Sequence, residues 1–292
     1  MSATATRQGA PDRRLLNIGC GHTLHPAWVN LDIAPTDRGV LRWDVRRELP
    51  FPDASFEAVY CSHVLEHLLP EDAQALAAGM LRVLQPGGVV RVVVPDLEGI
   101  AREYLRLLEA VERGESAREP DYDWIMLELY DQAVRNVSGG RTAAFLSRPD
   151  LPNRDYILSR VGAEAQSFWD RRDQGWLRRL AGARPGKWLR MAAGRVRIRA
   201  RIAGWLVRLV AGAEAARAFR DGQFRRSGEI HQWMYDRHSL GRLLRDAGFI
   251  GVARVSARAS AIPGFADYRL DMDEKGAVRK PDSLFMEARK PR

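Results

Sequence analysis

The sequence predicts an α/β protein built on a doubly wound, mostly parallel sheet that carries a helical insertion. Three observations predict it. A short apolar run, Leu15, Leu16 and Ile18, stops at Gly19-Cys20-Gly21, as a buried parallel strand does when its exit turn must dispense with Cβ atoms. Strand-like runs then alternate with amphipathic, helix-like stretches on short connections, the pattern of parallel strands with crossovers. Sheet-like periodicity disappears after residue 99 and returns only near the C-terminus.

Taken in order, Val29, Leu31 and Ile33 alternate around Asn30 and Asp32 as a second strand, with Asp32 at its carboxyl end. The connector between the first two strands has room for one helical turn, started at Pro26. Val40 to Trp43 reads as a third strand ending at Asp44, and Phe56 to Ser62 as a fourth. Pro70 suits the first turn of a helix in which Leu76, Met80, Val83 and Leu84 share a face, and Pro86-Gly87-Gly88 stops it. Val89 to Val94, nearly all apolar, is a fifth strand buried on both faces. Leu97 to Val111 and Tyr122 to Val137 are helical, neither is followed by a strand, and a Gly-, Arg- and Pro-rich loop comes next. A helix from Ser239 to Ala247, capped by Ser239, precedes strand-like runs near Val252 and Ser283. The resulting division is a disordered tail over 1–13, core over 14–99, helical Arg/Trp-rich insertion over 100–227 beside or over the substrate side of the sheet, and core again over 228–292.

A chain of 292 residues can bury a full α/β core and still carry such an insertion. The formal net charge of +9 is unevenly placed. Residues 171–226 hold 16 Arg/Lys and 3 Asp/Glu, a net of +13, which leaves the remainder at −4. Basicity therefore belongs to the insertion, and the core is mildly acidic. Cys20 and Cys61 are the only cysteines and both sit in apolar runs, so a disulfide scaffold is not expected and a reducing, cytoplasmic compartment is. The N-terminal MSATATRQGAPDRR lacks the apolar segment of a signal peptide, and no run approaches the roughly 18 apolar residues of a membrane span.

The glycine turn followed by Asp32 places a carboxylate where it can accept both hydroxyls of a ribose. A dinucleotide fingerprint is excluded, because the position of its third glycine is Leu24 and Asp32 follows Gly21 by 11 residues, against about 20 in that fingerprint. No Gly-Lys-Ser/Thr follows, which removes a phosphate-cradling P-loop. A nucleoside without phosphates remains.

With these residues, with LRWDVRRELPFPDASFEAVYCSHVLEHL and with LRVLQPGGVVRVVVPD, the chain resembles the class I S-adenosylmethionine-dependent methyltransferases, closely over 14–99 and loosely over 228–292. More narrowly, its short first connector and MYDRHSLGRLLRDAGF are similar to methyltransferases of cell-surface polysaccharide and lipid-linked sugar pathways. The resemblance implies a Rossmann-like, seven-stranded sheet with an antiparallel last strand, S-adenosyl-L-methionine as cofactor, and O-methylation of a sugar or an envelope-glycan or lipid-linked acceptor. It implies a cofactor site of Gly19, Cys20, Gly21, Asp32, Ile33, Asp44, Val45, Ser62 and His63, in which Asp44 meets the adenine amino group.

Methyl transfer needs alignment more than a nucleophile, and an alcohol acceptor gains from a base. His63, His231 and Tyr235 are the candidates for the acceptor side. His63-Val64-Leu65-Glu66-His67 also fits H-x-x-E-H, in which two helical histidines would hold zinc for hydrolysis, a rival function that needs one helix across all five residues. A metal-assisted transfer through Glu66 or His67 is a further alternative. In the insertion, Ile198, Ile202, Trp205, Leu206 and Leu209 recur at helical spacing beside Arg197, Arg201 and Arg208, and Trp169, Trp176 and Trp188 lie among further arginines. Such a face fits an anionic membrane surface, with peripheral attachment on the inner side. RNA, as partner and as alternative acceptor, is attracted by the same charges, and a solvated cover for the core is the third reading.

Overall fold

The computed structural model describes residues 14–35, 37–180 and 189–292, with backbone alone for 172–180 and 189–201. The expected tail over 1–13 and the side chains of Trp176, Trp188, Arg197, Ile198 and Arg201 lie outside the described residues. The chain divides into two compact units, Met1–Glu103 with Gln232–Arg292, and Tyr104–His231.

The first unit is built on a seven-stranded sheet. Its strands are β1 (Leu15–Ile18), β2 (Val29–Asp32), β3 (Val40–Arg42), β4 (Phe56–Ser62), β5 (Leu84–Pro95), β6 (Ile250–Val255) and β7 (Ser283–Arg289), in spatial order β3-β2-β1-β4-β5-β7-β6. The first five pair in parallel, and β7 runs antiparallel to both β5 and β6. The carboxyl ends of β1 to β4 therefore lie along one edge, where the glycine turn and both acids emerge. Strand β5 starts at Leu84, earlier than its apolar run, because Leu84 pairs with Phe56 and the irregularity before Ala58 absorbs Pro86-Gly87-Gly88.

Helices α1 (Pro70–Val83) and α8 (Arg237–Asp246) bury one side of the sheet, where Ile18, Leu31, Val59, Met80, Val92 and Leu244 pack together. Each such side chain, fully buried, is worth about 1.5–3 kcal/mol. Ser239 does not open α8. Asp236 caps it, accepting from the amides of His238 and Ser239, while the Asp236 amide donates to the Ser239 hydroxyl, a complete capping box.

The other side is covered by irregular chain. Trp28 and residues Ala257, Ile262, Phe265 and Leu270 pack on Tyr60, Val93 and Phe285. Arg91 stands in the middle of β5, fully buried. It meets Asp271 Oδ2 and Glu287 Oε1, each at 2.7 Å, donates to the carbonyls of Ser256 and Ala259 at 2.9 Å, and lies 4.7 Å over the ring of Phe265. Tyr60 Oη donates to Asp271 Oδ1 at 2.6 Å. Burial outweighs these partners and leaves the Asp271 carboxyl above its ordinary range.

At Pro26 the chain makes a single hydrogen-bonded turn, the Trp28 amide donating to the His25 carbonyl at 3.0 Å, and no helix follows. The connector between β1 and β2 is held instead by two buried asparagines: Asn17 Nδ2 donates to Asn30 Oδ1 and the Thr23 carbonyl, and Asn30 Nδ2 to the carbonyls of His25 and Trp28. Buried amides that saturate one another can replace a helix in satisfying a short loop's backbone.

In the second unit the expected loop after α3 (Glu119–Val134) contains two short helices, α4 (Gly140–Leu146) and α5 (Arg154–Val161). Buried Asp131 satisfies the start of α4, accepting from the amides of Arg141 and Thr142 and from Thr142 Oγ1. Helices α6 (Ala163–Leu180) and α7 (Leu189–Arg225) follow, the latter broken at Gly212, where φ is 87°. Trp169 belongs to this unit's core with Trp124, Phe145, Leu146 and Ile157, and donates to the Leu146 carbonyl. The division between units falls within α2 (Leu97–Glu112). Among the described residues no helix is long and apolar enough to cross a membrane.

Candidate active site

At the end of β1 the chain turns through two left-handed glycines, Gly19 at φ 67° and Gly21 at φ 52°. The amides of Gly19 and Cys20 donate to the Leu31 carbonyl, and the Gly21 amide donates to Asp32 Oδ2 at 2.9 Å. Asp32 Oδ1 receives the Ala34 amide at 2.8 Å. The turn is thus latched to the carboxylate that ends β2. A Cβ on Gly19 would collide with Val64 Cγ2, so this glycine is needed for the close approach of turn and β4 exit. A Cβ on Gly21 would point into open space. An uncluttered backbone beside a carboxylate is the shape a nucleoside requires, and the residues present fit one.

Cys20 is buried, and desolvation, with the nearby Asp32 charge, pushes its thiol up to about 11. It therefore stays protonated near neutral pH. Ile33 presents an apolar surface, 51 % exposed, immediately after Asp32. Asp44 lies two residues beyond β3, which ends at Arg42. Its carboxylate is clasped by Arg46, with Nη2 to Oδ2 at 2.7 Å and Nε to Oδ1 at 2.9 Å, and this bond holds the carboxyl below its ordinary range. Val45 packs inward against the core.

Ser62 is the last residue of β4, and His63 leaves the strand in the left-handed region, φ 52°, with its amide bonded to the Val93 carbonyl. His63 Nδ1 lies 3.0 Å from Glu66 Oε1 and Nε2 lies 3.0 Å from Ser283 Oγ. Tyr235 is buried, and desolvation followed by the Glu66 charge pushes its phenol up to about 12. It is thus protonated near neutral pH. Gly19, Gly21, Asp32, Asp44, Ser62, His63 and Tyr235 all belong to the first unit. His231 belongs to the second, buried, with its amide bonded to the Gln132 carbonyl.

The helix required by the H-x-x-E-H reading does not form. Only Leu65–His67 makes a 3-10 turn, and the positive φ of His63 breaks any helical face across the five residues.

Two residues at this edge were not singled out from the sequence. Ser283 opens β7, 220 residues from the histidine it touches, and nothing local marks it. Asp96, directly after β5, is buried with Oδ2 on Arg254 and with Oδ1 carrying no hydrogen bond among the described residues. A carboxylate following an apolar strand at the ligand-binding edge is a signal that could have found it.

Residues 16–92 match the family model described as "Methyltransferase domain". An uncharacterized methyltransferase of Synechocystis sp. is 29 % identical over 101 residues, covering 29 % of this chain and 48 % of that protein. The chain thus spans about half the length of the curated relative it matches. Among solved structures, a SAM-dependent methyltransferase from Archaeoglobus fulgidus is 12 % identical over 95 % of this chain and 86 % of that one, with a TM-score of 0.37. A Haloferax volcanii putative methyltransferase, in complex with the Trm112 activator, is 11 % identical over 95 % and 82 %, with a TM-score of 0.36. The strand order gives the sheet unit a Rossmann-like α/β fold, and residues 16–92 within it are similar to the methyltransferase domain, a family whose cofactor is S-adenosylmethionine.

Proposed function

We propose that the protein transfers a methyl group from S-adenosylmethionine to a hydroxyl of a sugar, on an envelope glycan or a lipid-linked intermediate. The observation that carries the cofactor part is the latch between the Gly21 amide and Asp32 at the carboxyl edge of a parallel sheet. Asp32 would accept the ribose hydroxyls, Ile33 would lie against the base, Asp44 would take the adenine amino group, and Gly19 to Gly21 with Ser62 would border the remainder. The bound cofactor supplies an electrophilic methyl carbon on a sulfonium, with a neutral thioether as leaving group. The chain's own work is to hold the acceptor oxygen in line, exclude water and remove the hydroxyl proton, with His63 as the base of this reading. The sugar acceptor rests on the narrower family likeness.

Calorimetry with S-adenosylmethionine tests the first part: micromolar-range binding that weakens at least tenfold in Asp32→Ala supports it, and no binding by the intact chain sinks it. Incubation with labelled S-adenosylmethionine and fractionated cell extract tests the acceptor. Label in glycan or lipid supports a sugar hydroxyl, and label in RNA transfers the reading to an RNA methyltransferase.

The insertion is proposed to dock on an anionic membrane surface. Ile202, Trp205, Leu206 and Leu209 share a helical face, all are exposed, and Val210 beside them is 85 % exposed. Arg208, Arg217 and Arg220 are exposed on the same segment, within a stretch of net charge +13. An apolar stripe among cations gains from burial in the headgroup region and from attraction to anionic lipid. Flotation with phosphatidylglycerol vesicles, lost in a Trp205→Ser/Leu209→Ser double variant and absent with neutral lipid, is the expected result. Steeply salt-dependent RNA binding without flotation would replace the membrane with RNA.

A further inference from the structure

Glu66, His63 and Ser283 form a row at the carboxyl edge of the sheet, all within the first unit. Carboxylate, imidazole and hydroxyl follow one another at 3.0 Å and 3.0 Å. Glu66 is fully buried, Ser283 is 7 % exposed, and the His63 side chain keeps 14 % of its surface open. Two features distinguish this row from a core histidine that has merely found partners. The left-handed backbone of His63 costs about 1–2 kcal/mol in a residue with a Cβ, and such strain concentrates at functional sites. The order of groups is also that of an acid–base relay, with the buried carboxylate in charge contact 3.0 Å from the far nitrogen and a hydroxyl hydrogen-bonded at 3.0 Å to the near one.

We propose that Glu66 and Ser283 fix neutral His63 as its Nδ1–H tautomer, and that Ser283 meets the acceptor hydroxyl and passes its proton to His63. The relay rests on the methyl-transfer reading above. As the acceptor oxygen forms its bond to carbon, its O–H bond breaks and the proton moves to Ser283 Oγ. The proton already on that oxygen moves to His63 Nε2. The imidazolium so formed faces Glu66, which touches no acceptor and is a positioning residue. The ionisable groups around the row include His67, with a ring nitrogen within 4.8 Å of the Glu66 carboxylate, Asp271, which is coupled by charge to His63, and Cys61 and Tyr235, which feel Glu66; Tyr60 and Arg91 lie beyond Asp271.

The test is NMR of the full chain with 15N-labelled histidine, the His63 signal being assigned among six histidines by His63→Gln. The neutral form is expected to be the Nδ1–H tautomer, Ser283→Ala to shift population several-fold toward Nε2–H, and Glu66→Gln to lower the protonation midpoint by about one pH unit or more. An Nε2–H tautomer in the wild type, or an unmoved midpoint in Glu66→Gln, overturns the proposal whether or not methyl transfer occurs. Affinity for S-adenosylmethionine should stay within about threefold in both variants, whereas label transfer into extract should fall about 10²–10⁴-fold in Ser283→Ala and recover in Ser283→Thr. Full transfer by folded Ser283→Ala overturns the relay alone. The expected tautomer with no cofactor binding by the wild type sinks the methyl-transfer reading and, with it, the relay's role. Thermal melting checks that each variant is folded, and Ser283→Thr reads the position if the alanine variant is not.

Discussion

Gly19 and Gly21 look alike in the sequence, and their surroundings separate them. Gly19→Ala would add a left-handed penalty to a collision with Val64, together about 2–4 kcal/mol, whereas Gly21→Ala pays the backbone term alone, about 1–2 kcal/mol. Urea denaturation should rank the two in that order, and equal losses would mean that Val64 swings aside. Asp44 offers a second residue-scale prediction. Its bond to Arg46 depresses the folded carboxyl below the ordinary 3.8, so the associated stability is present above that value and disappears as pH falls through the folded one. Both groups are partly exposed, so the contribution is small, and carbon NMR of the carboxylate is the measurement: Arg46→Ala should return Asp44 to the ordinary range. Asp32 and Asp44 were legible because strand-end acids announce themselves by position, whereas the clasp of Arg46 depends on a side-chain rotamer that no periodicity encodes.

At the scale of elements, a segment's legibility followed the source of its stability. Strands β1, β2, β4 and β7 and helix α1 carry their own apolar period, and the sequence placed them. The connector over 21–28 makes the turn its length allows at Pro26, but the rest of it is ordered by Asn17 and Asn30 from within strands, which no local pattern announces. Helix α4 is started by Asp131 from a preceding helix, so its Gly- and Arg-rich sequence read as loop. Ser239 and Asp236 are both capping residue types by sequence; Asp236 takes the cap, Ser239 sits three residues on, and the pair share the box. Asp236→Ala should cost about 1 kcal/mol by thermal melting. Its amide and hydroxyl donors hold the carboxyl below its ordinary range, so lowering the pH through that folded value should reproduce part of the loss in the wild type and none in the variant.

Across the whole molecule, the main polar feature of the core is the fully buried Arg91, which a run of valines disguises as a uniformly apolar strand. Arg91→Met would leave Asp271 and Glu287 buried without their counter-charge, and removing one partner of such a set costs about 3–5 kcal/mol. Loss of less than about 1 kcal/mol in urea denaturation would show that the carboxylates simply take up protons. The relay of His63 and Ser283 was illegible for the same reason as the Arg91 set: both join residues about two hundred positions apart, where neither spacing nor pattern carries information. Sequence separation also has a meaning in time. Arg91 precedes Glu287 by 196 residues, and at synthesis rates of about 5–20 residues per second the guanidinium leaves the ribosome on the order of 10–40 s before its second carboxylate exists. During that interval β5 is an open edge carrying an unpaired cation, which discourages it from recruiting a neighbouring chain's strand until its own C-terminal one arrives.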